Sequence, residues 1–420
     1  MNGFNTNQLE KYKILSLDGG GSWALVQAMT LGRIFGDIPG REILAHFDLV
    51  IANSGGSIVA AGLAENYRPS QLEDLFLNES IRKSIFYNLG FTQKSLITRI
   101  TRLFGIGPKY SAEAKYNGLQ KVLPELSKIP LTQVPALIPG KRNTQFMVTT
   151  YDYYRNRARF FRSNMKSFSK TANLSNRRKR NVPRNPDPAT FVQAIHAATN
   201  APVNYFDKPA KIQFETSRGI VERFFWDGAV GGYNNPVLAG VIEALSNGIA
   251  AENIHILSIG TGIKYLPKQD VFQSAYEELV IRFDKPTLTK DLVKMTASIL
   301  SDPPDAASYT SYTIIAPDLP AKSERFVRLC PVIQPSLHLK DNVPTWDIPD
   351  EYTFPEFRDL LHLEMDAVED KHVKLIQKMT QLWLENKTLN QPIRNDKYLR
   401  CLLGHNTFGE GLEDLKSWLP

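Results

Sequence analysis

Cysteine is almost absent from this chain: there are two in 420 residues, Cys330 and Cys401. They form no metal-ligand or redox motif, and their scarcity fits a reducing compartment. No clustered set of His, Cys and Asp has ligand spacing, so the sequence implies no metal and no cofactor. Long apolar runs are missing as well. The charge-free stretches 49–64 and 189–206 are broken by Asn and by Pro or Gly, and neither offers the roughly 20 apolar residues of a membrane span. The opening residues MNGFNTNQLEKYK lack the apolar core of a secretory signal. Together these absences predict a cytoplasmic protein.

Acids are missing from one stretch. Between Arg155 and Arg184 there are eleven Lys or Arg and no Asp or Glu, although the whole chain is only +7. Elsewhere acids slightly outnumber bases, so the basic excess is local. A solvated loop is one reading of such a run. The other is a site for phosphate groups, on lipid headgroups, nucleotides or nucleic acid. The densest part is Arg177, Arg178, Lys179 and Arg180, with Phe160, Phe161 and Phe168 interleaved nearby. Aromatic rings beside Arg could stack on a base or dip into a lipid interface.

The remainder is ordinary for a folded protein, with 42% hydrophobic and 22% charged residues. Apolar β-type runs alternate with helical patterns: KILSLD (13–18), a helix near 22–36, FDLVIAN (47–53) and a helix near 57–66. That order predicts an α/β fold with parallel strands joined by crossover helices. Further strands are expected at 145–151, 158–162, 211–216, 220–226 and 254–260. SQLE has capping-box spacing and predicts a helix starting at Ser70. Asp187-Pro188 and Asn235-Pro236 carry the pattern of helix starts. Residues 354–389 read as one long amphipathic helix, and 83–110 as a packed excursion, a mobile cover over a site, or a surface that rests on lipid.

Two glycine-rich turns hold the chemistry. LDGGGSWA (17–24) lies between a strand and a helix, where glycine can turn backbone N–H groups towards an anion. Gly19-x-Gly21-x-x-Ala24 matches a dinucleotide fingerprint, but the next strand ends in Asn53-Ser54 rather than in an acid. The alternative is an oxyanion hole built from the amides of Gly19, Gly20 and Gly21. ANSGGS (52–57) then reads as a nucleophile elbow, with small Ala52 and Gly56 flanking Ser54. The base is harder to place. His338, His362, His372 and His405 lie late enough for a triad, yet the last three fall in helix-like stretches. Asp227, at the end of the strand in RFFWDGAVGGYNNP, is the better candidate: a buried carboxylate there could take the serine proton directly.

LDGGGSWA, ANSGGS, AIHAATNAPVNYF (194–206), WDGAVGGYNNP and LSIGTG (257–262) occur in the order of one family. On these motifs the chain resembles the patatin-like phospholipases, lipid acyl hydrolases with a Ser–Asp dyad and no catalytic histidine. The resemblance implies a three-layer α/β fold, with a central, mostly parallel sheet flanked by helices. It implies a catalytic domain over 1–330 and a mainly helical extension over 331–420 packed on it. It assigns Ser54 and Asp227 as the dyad and Gly19, Gly20 and Gly21 as the oxyanion hole, with no metal. AIHAATNAPVNYF would be scaffold, its helix ended by Pro202, and LSIGTG a structural Gly turn. The implied substrate is phospholipid, met at a membrane surface to which the protein is peripheral when active. Nucleic acid is not an expected partner; a cyclic nucleotide activator is, because some bacterial relatives are switched on that way in antiphage defence. Trp23 and Ala24 stand where the family usually has Arg and Gly. That departure leaves open the alternative of a catalytically weak or dead regulatory protein that binds lipid or nucleotide.

Overall fold

The apolar runs fold as strands, and their alternation shows which face each side chain takes. The computed structural model describes residues 11–85, 109–140, 143–163, 189–202, 205–216, 219–265, 279, 303–341, 343–394 and 402–420. Its strands begin with β1 (Tyr12–Leu17), β2 (Leu49–Ala52), β3 (Gln145–Asp152) and β4 (Arg157–Arg162). They continue with β5 (Ala210–Thr216), β6 (Gly219–Asp227), β7 (Ile254–Ile259), β8 (Ile263–Lys264) and β9 (Phe326–Leu329). All but β8 join one eight-stranded sheet. Its centre is parallel, with β1 between β2 and β7, β3 beyond β2, and β9 beyond β7. β4, β5 and β6 join antiparallel.

Both faces of the parallel strands are covered. Ile14, Leu49, Ile51 and Ile256 pack in one core against the helix Val237–Ser246 and residues 303–315. Their neighbours Leu15, Leu17, Val50, Ala52 and Leu257 point the other way, into a larger core with the helices Leu25–Phe35, Ser54–Ala64 and Phe191–Ala198. Strands buried on both sides read as continuous apolar runs because each face has its own helical layer. This is the expected three-layer α/β architecture.

Register brings two distant strand ends together. β4 lies along one edge of β3 from Met147 to Asp152. On the opposite edge, β2 pairs as far as Ala52 with Val148. β6 then takes over that edge, from Thr150 opposite Asp227 to Asp152 opposite Phe225. The last residues of β2 and β6 therefore face each other across a one-residue gap in the ladder.

Several boundaries differ from the sequence reading. The helix expected from Ser70 starts at Pro69; Arg68 caps it and donates its N–H to Gln71 Oε1, while Ser70 bonds Asp37. The helix expected at Asp187-Pro188, two residues outside the described ones, begins at Phe191 behind a Thr190–Gln193 capping box. It ends at Ala198, before Pro202, which frees Thr199 and Asn200 for other bonds. The single long helix over 354–389 is two, Phe354–His362 and Asp370–Leu384, separated by a loop. Periodicity alone could not reveal that break, because the loop is held by tertiary bonds described below. The carboxy-terminal stretch also carries the hairpin Ser336–Lys340 with Val343–Asp347 and the helix Phe408–Leu415. Residues 86–108 lie outside the described residues.

Candidate active site

Ser54 opens the elbow helix directly after β2. Its φ is +44°, in the left-handed region, a conformation costing about 1–3 kcal/mol in a side-chain-bearing residue. The strain lifts the hydroxyl off the end of the sheet, as a nucleophile elbow requires. Gly56 makes the turn feasible: a Cβ there would lie 2.5 Å from Asp18 O. Ser54 is 7% exposed.

Asp227 meets Ser54 because of the register on β3. The Ser54 hydroxyl lies near enough to the Asp227 carboxylate to act on it, pulling its carboxyl downward. Asp227 Oδ1 also accepts from Asn53 Nδ2 at 2.9 Å and from the Ala229 N–H at 2.9 Å. Asn53 Oδ1 in turn accepts from Thr149 Oγ1 at 2.6 Å, which fixes the amide's orientation. Burial pushes the Asp227 carboxyl above its ordinary range, and these hydrogen bonds together with the Lys115 charge pull it part of the way back. A carboxylate so placed can accept the serine proton without an intervening imidazole. His338 lies in a β-hairpin, His362 touches Leu279 O, and His405 pairs with Asp414; none lines the Ser54 pocket.

The glycine loop needs one correction. Gly19 does not offer its amide, because that N–H is donated to Asn234 O at 2.8 Å. The Gly19 carbonyl accepts from Thr261 Oγ1 at 2.9 Å, so LSIGTG anchors the loop. Gly19 is an abutment instead: a Cβ on it would sit 2.9 Å from Ser54 Cβ. Among the described residues, the Gly20 and Gly21 amides have no comparable backbone acceptor. Trp23, where the family usually has Arg, is buried and donates from Nε1 to Glu364 O at 3.2 Å.

The carboxy-terminal loop between the two helices closes the site. Met365 O accepts from the Ser22 N–H at 2.8 Å. Asp366 accepts from Tyr110 Oη at 2.6 Å and from Lys109 Nζ at 3.1 Å, and Lys109 also bonds Glu364 at 2.6 Å. Lys264 Nζ donates to Leu361 O and Leu363 O. Beneath this strap the cavity at Ser54 measures about 30 Å³, walled by Gly21, Lys115, Phe206, Met365 and Asp366. That is room for about one water. On the far side of Met365 a cavity of about 410 Å³ opens at the ends of β1, β7 and β9. Its floor holds a buried ion pair, Arg328 Nη2 to Asp18 Oδ2 at 2.6 Å.

Sequence reasoning missed Asn53 as an orienting group, Lys115, and the Met365–Asp366 closure. An Asn next to the elbow serine was a signal for the first; the others had none. The cluster Arg177, Arg178, Lys179 and Arg180 lies outside the described residues, as does Phe168. Of the same segment, Arg155 and Arg159 lie beside Asp152 and Arg162 pairs with Glu243 at 3.0 Å. Phe161 is fully buried and Phe160 packs on Tyr233, so neither ring is free to stack on a ligand.

A family model described as patatin-like phospholipase matches residues 15–241, more than half of the chain, and the protein belongs to that family. A cGAMP-activated phospholipase of Pseudomonas aeruginosa (strain BWHPSA011 / Pa011) is 28% identical over 152 residues, 36% of this chain and 40% of that protein. The chain thus spans less than half the length of that relative. Among solved structures, the crystal structure of VipD from Legionella pneumophila aligns with 89% of this chain and 67% of that one, at 11% identity and a TM-score of 0.33. Among the described residues no helix is long and apolar enough to cross a membrane.

Proposed function

We propose that this lipid hydrolase is a serine esterase of the phospholipase A type, cleaving fatty-acyl esters of membrane phospholipids. Ser54 Oγ attacks the ester carbonyl while Asp227 takes its proton. The amides of Gly20 and Gly21 hold the oxyanion. Asp227 returns the proton to the leaving alcohol, and then draws one from the water that frees the fatty acid. The observation that carries this reading is a strained serine whose chain neighbour, Asn53, bonds the buried Asp227 carboxylate at 2.9 Å. The basic run 155–184 supplies attraction to an anionic membrane surface.

The closed pocket supports a switch in the same reading. An acyl chain cannot enter about 30 Å³, so the strap must move before turnover. A cyclic nucleotide is the activator we favour, because a relative is described as cGAMP-activated.

Incubating the pure protein with mixed liposomes, with and without cGAMP, and analysing lipids by mass spectrometry tests both statements. We expect lysophospholipid and free fatty acid, abolished in Ser54→Ala and Asp227→Ala. Product that persists in Ser54→Ala, or none from the wild type in either condition, overturns the reading.

A further inference from the structure

Lys115 is a lysine with no access to water, 0% exposed, in the wall of the Ser54 pocket. Its Nζ donates to His196 O at 3.0 Å, Thr199 Oγ1 at 3.0 Å and Asn200 Oδ1 at 2.8 Å. The Thr199 hydroxyl spends its own proton on Ile195 O, and Asn200 Nδ2 on Lys208 O. All three partners are therefore acceptors towards Lys115. A neutral amine has only two protons to give, so three acceptors call for the ammonium. The Phe206 ring, 4.1 Å away, faces the same cation.

None of these partners carries a formal charge. The negative charges that act on the ammonium are Asp227 and Asp207. Asp207 is engaged at the start of the helix bearing Lys115, where it accepts from the Ala112 N–H at 2.9 Å. Asn200 sets the separation from Asp227: its side chain takes the Lys115 proton while its carbonyl accepts the Asp227 N–H at 3.0 Å. A buried cation is costly, and an apolar side chain would fill the same space more cheaply.

We propose that Lys115 is the fixed counter-charge of the dyad, a positioning residue that keeps the Asp227 carboxylate ionised in a buried site. The inference rests on Ser54 and Asp227 being the reacting pair. Among the described residues, the other ionisable groups around the two are few. His196 is held neutral by burial and by Lys115 itself. Asp207 faces Lys115, and Asp366 stands across the pocket with Lys109 and Tyr110. Burial draws the Lys115 ammonium well below the ordinary lysine range, and the two carboxylates oppose this only in part, so the three acceptors are what hold it charged.

The test compares Lys115→Met and Asn200→Asp with wild type, reading the pH profile of kcat/KM on a soluble ester. Without the free charge of Lys115, or with a second carboxylate beside it, Asp227 should be harder to ionise. We expect the acid limb to move to higher pH by about one unit, a tenfold change in ionisation, with activity recovering towards wild type in alkali. A loss that is equal at every pH means a structural role and overturns the proposal. Asn200→Asp keeps the acceptor for Lys115, so the question is answered even if Lys115→Met does not fold. A double-mutant cycle of Lys115→Met and Asp227→Asn on denaturant stability reads the pairing without catalysis. Non-additivity supports the charge pair, and additivity overturns it. A cycle that couples in a protein cleaving no ester would instead sink the esterase reading and leave the pairing standing.

Discussion

Asn53 and Asp227, 174 positions apart in the chain, are joined by a hydrogen bond of 2.9 Å. The residue before Ser54 thereby orients the Asp227 carboxylate, and Thr149 orients that residue in turn. Asn53→Ala removes a hydrogen bond to a charged group, worth about 1.5–3 kcal/mol. We expect kcat on a soluble ester to fall about ten- to hundredfold with KM little changed. A wild-type kcat would mean that the Ala229 N–H holds the carboxylate unaided.

The base must be ionised to act, and burial lifts the Asp227 carboxyl above the ordinary range. Turnover should therefore be lost as pH falls through that raised value, earlier than for an exposed Asp. Above it activity should reach a plateau without a histidine limb near neutrality, since no histidine lines the pocket. A pH profile of kcat/KM on a soluble ester checks this. An inflection near 6.5 that vanishes on His196→Gln would count against the histidine-free dyad.

The strap over Ser54 is held by Tyr110 and Lys109 on Asp366. Lys109 is partly exposed, so its pair is worth no more than about 1 kcal/mol. Asp366→Ala removes both bonds and should shift closed molecules towards open. We expect basal turnover of a short-chain ester to rise, by about tenfold at most. Unchanged or lower turnover in a stably folded variant would show that the strap does not limit access.

Beneath the glycine loop, Arg328 and Asp18 form a pair with both side chains almost wholly buried. Burial acts to raise the Asp18 carboxyl, and the Arg328 guanidinium opposes it. Arg328→Met leaves a buried carboxylate alone and should cost about 3–5 kcal/mol, measured by denaturant unfolding. Adding Asp18→Leu should recover a large part of the loss. Equal stabilities for the single and double variants would mean that the ion pair is not what holds β1 to β9 there.

The sheet and the turn at Ser54 were legible in the chain because their causes are local. The buried strand Leu49–Ala52 is a continuous apolar run, and four of the six residues of Ile254–Ile259 are Ile or Leu. The turn at Ser54, between the end of β2 and two glycines, is set by the small residues beside it. Asp227 was legible for a related reason, as an acid ending an aromatic strand before a turn. What the tertiary structure alone decided is which polar groups meet. Gly19 looked like its two neighbours until Asn234 took its amide. Lys115 looked like any polar position of the helix Ala112–Val122, and the 354–389 pattern hid the loop that closes the site. Hydrogen bonds between distant segments depend on strand register and helix packing, and these are settled by the summed burial of whole layers. A few residues of local sequence do not contain that sum.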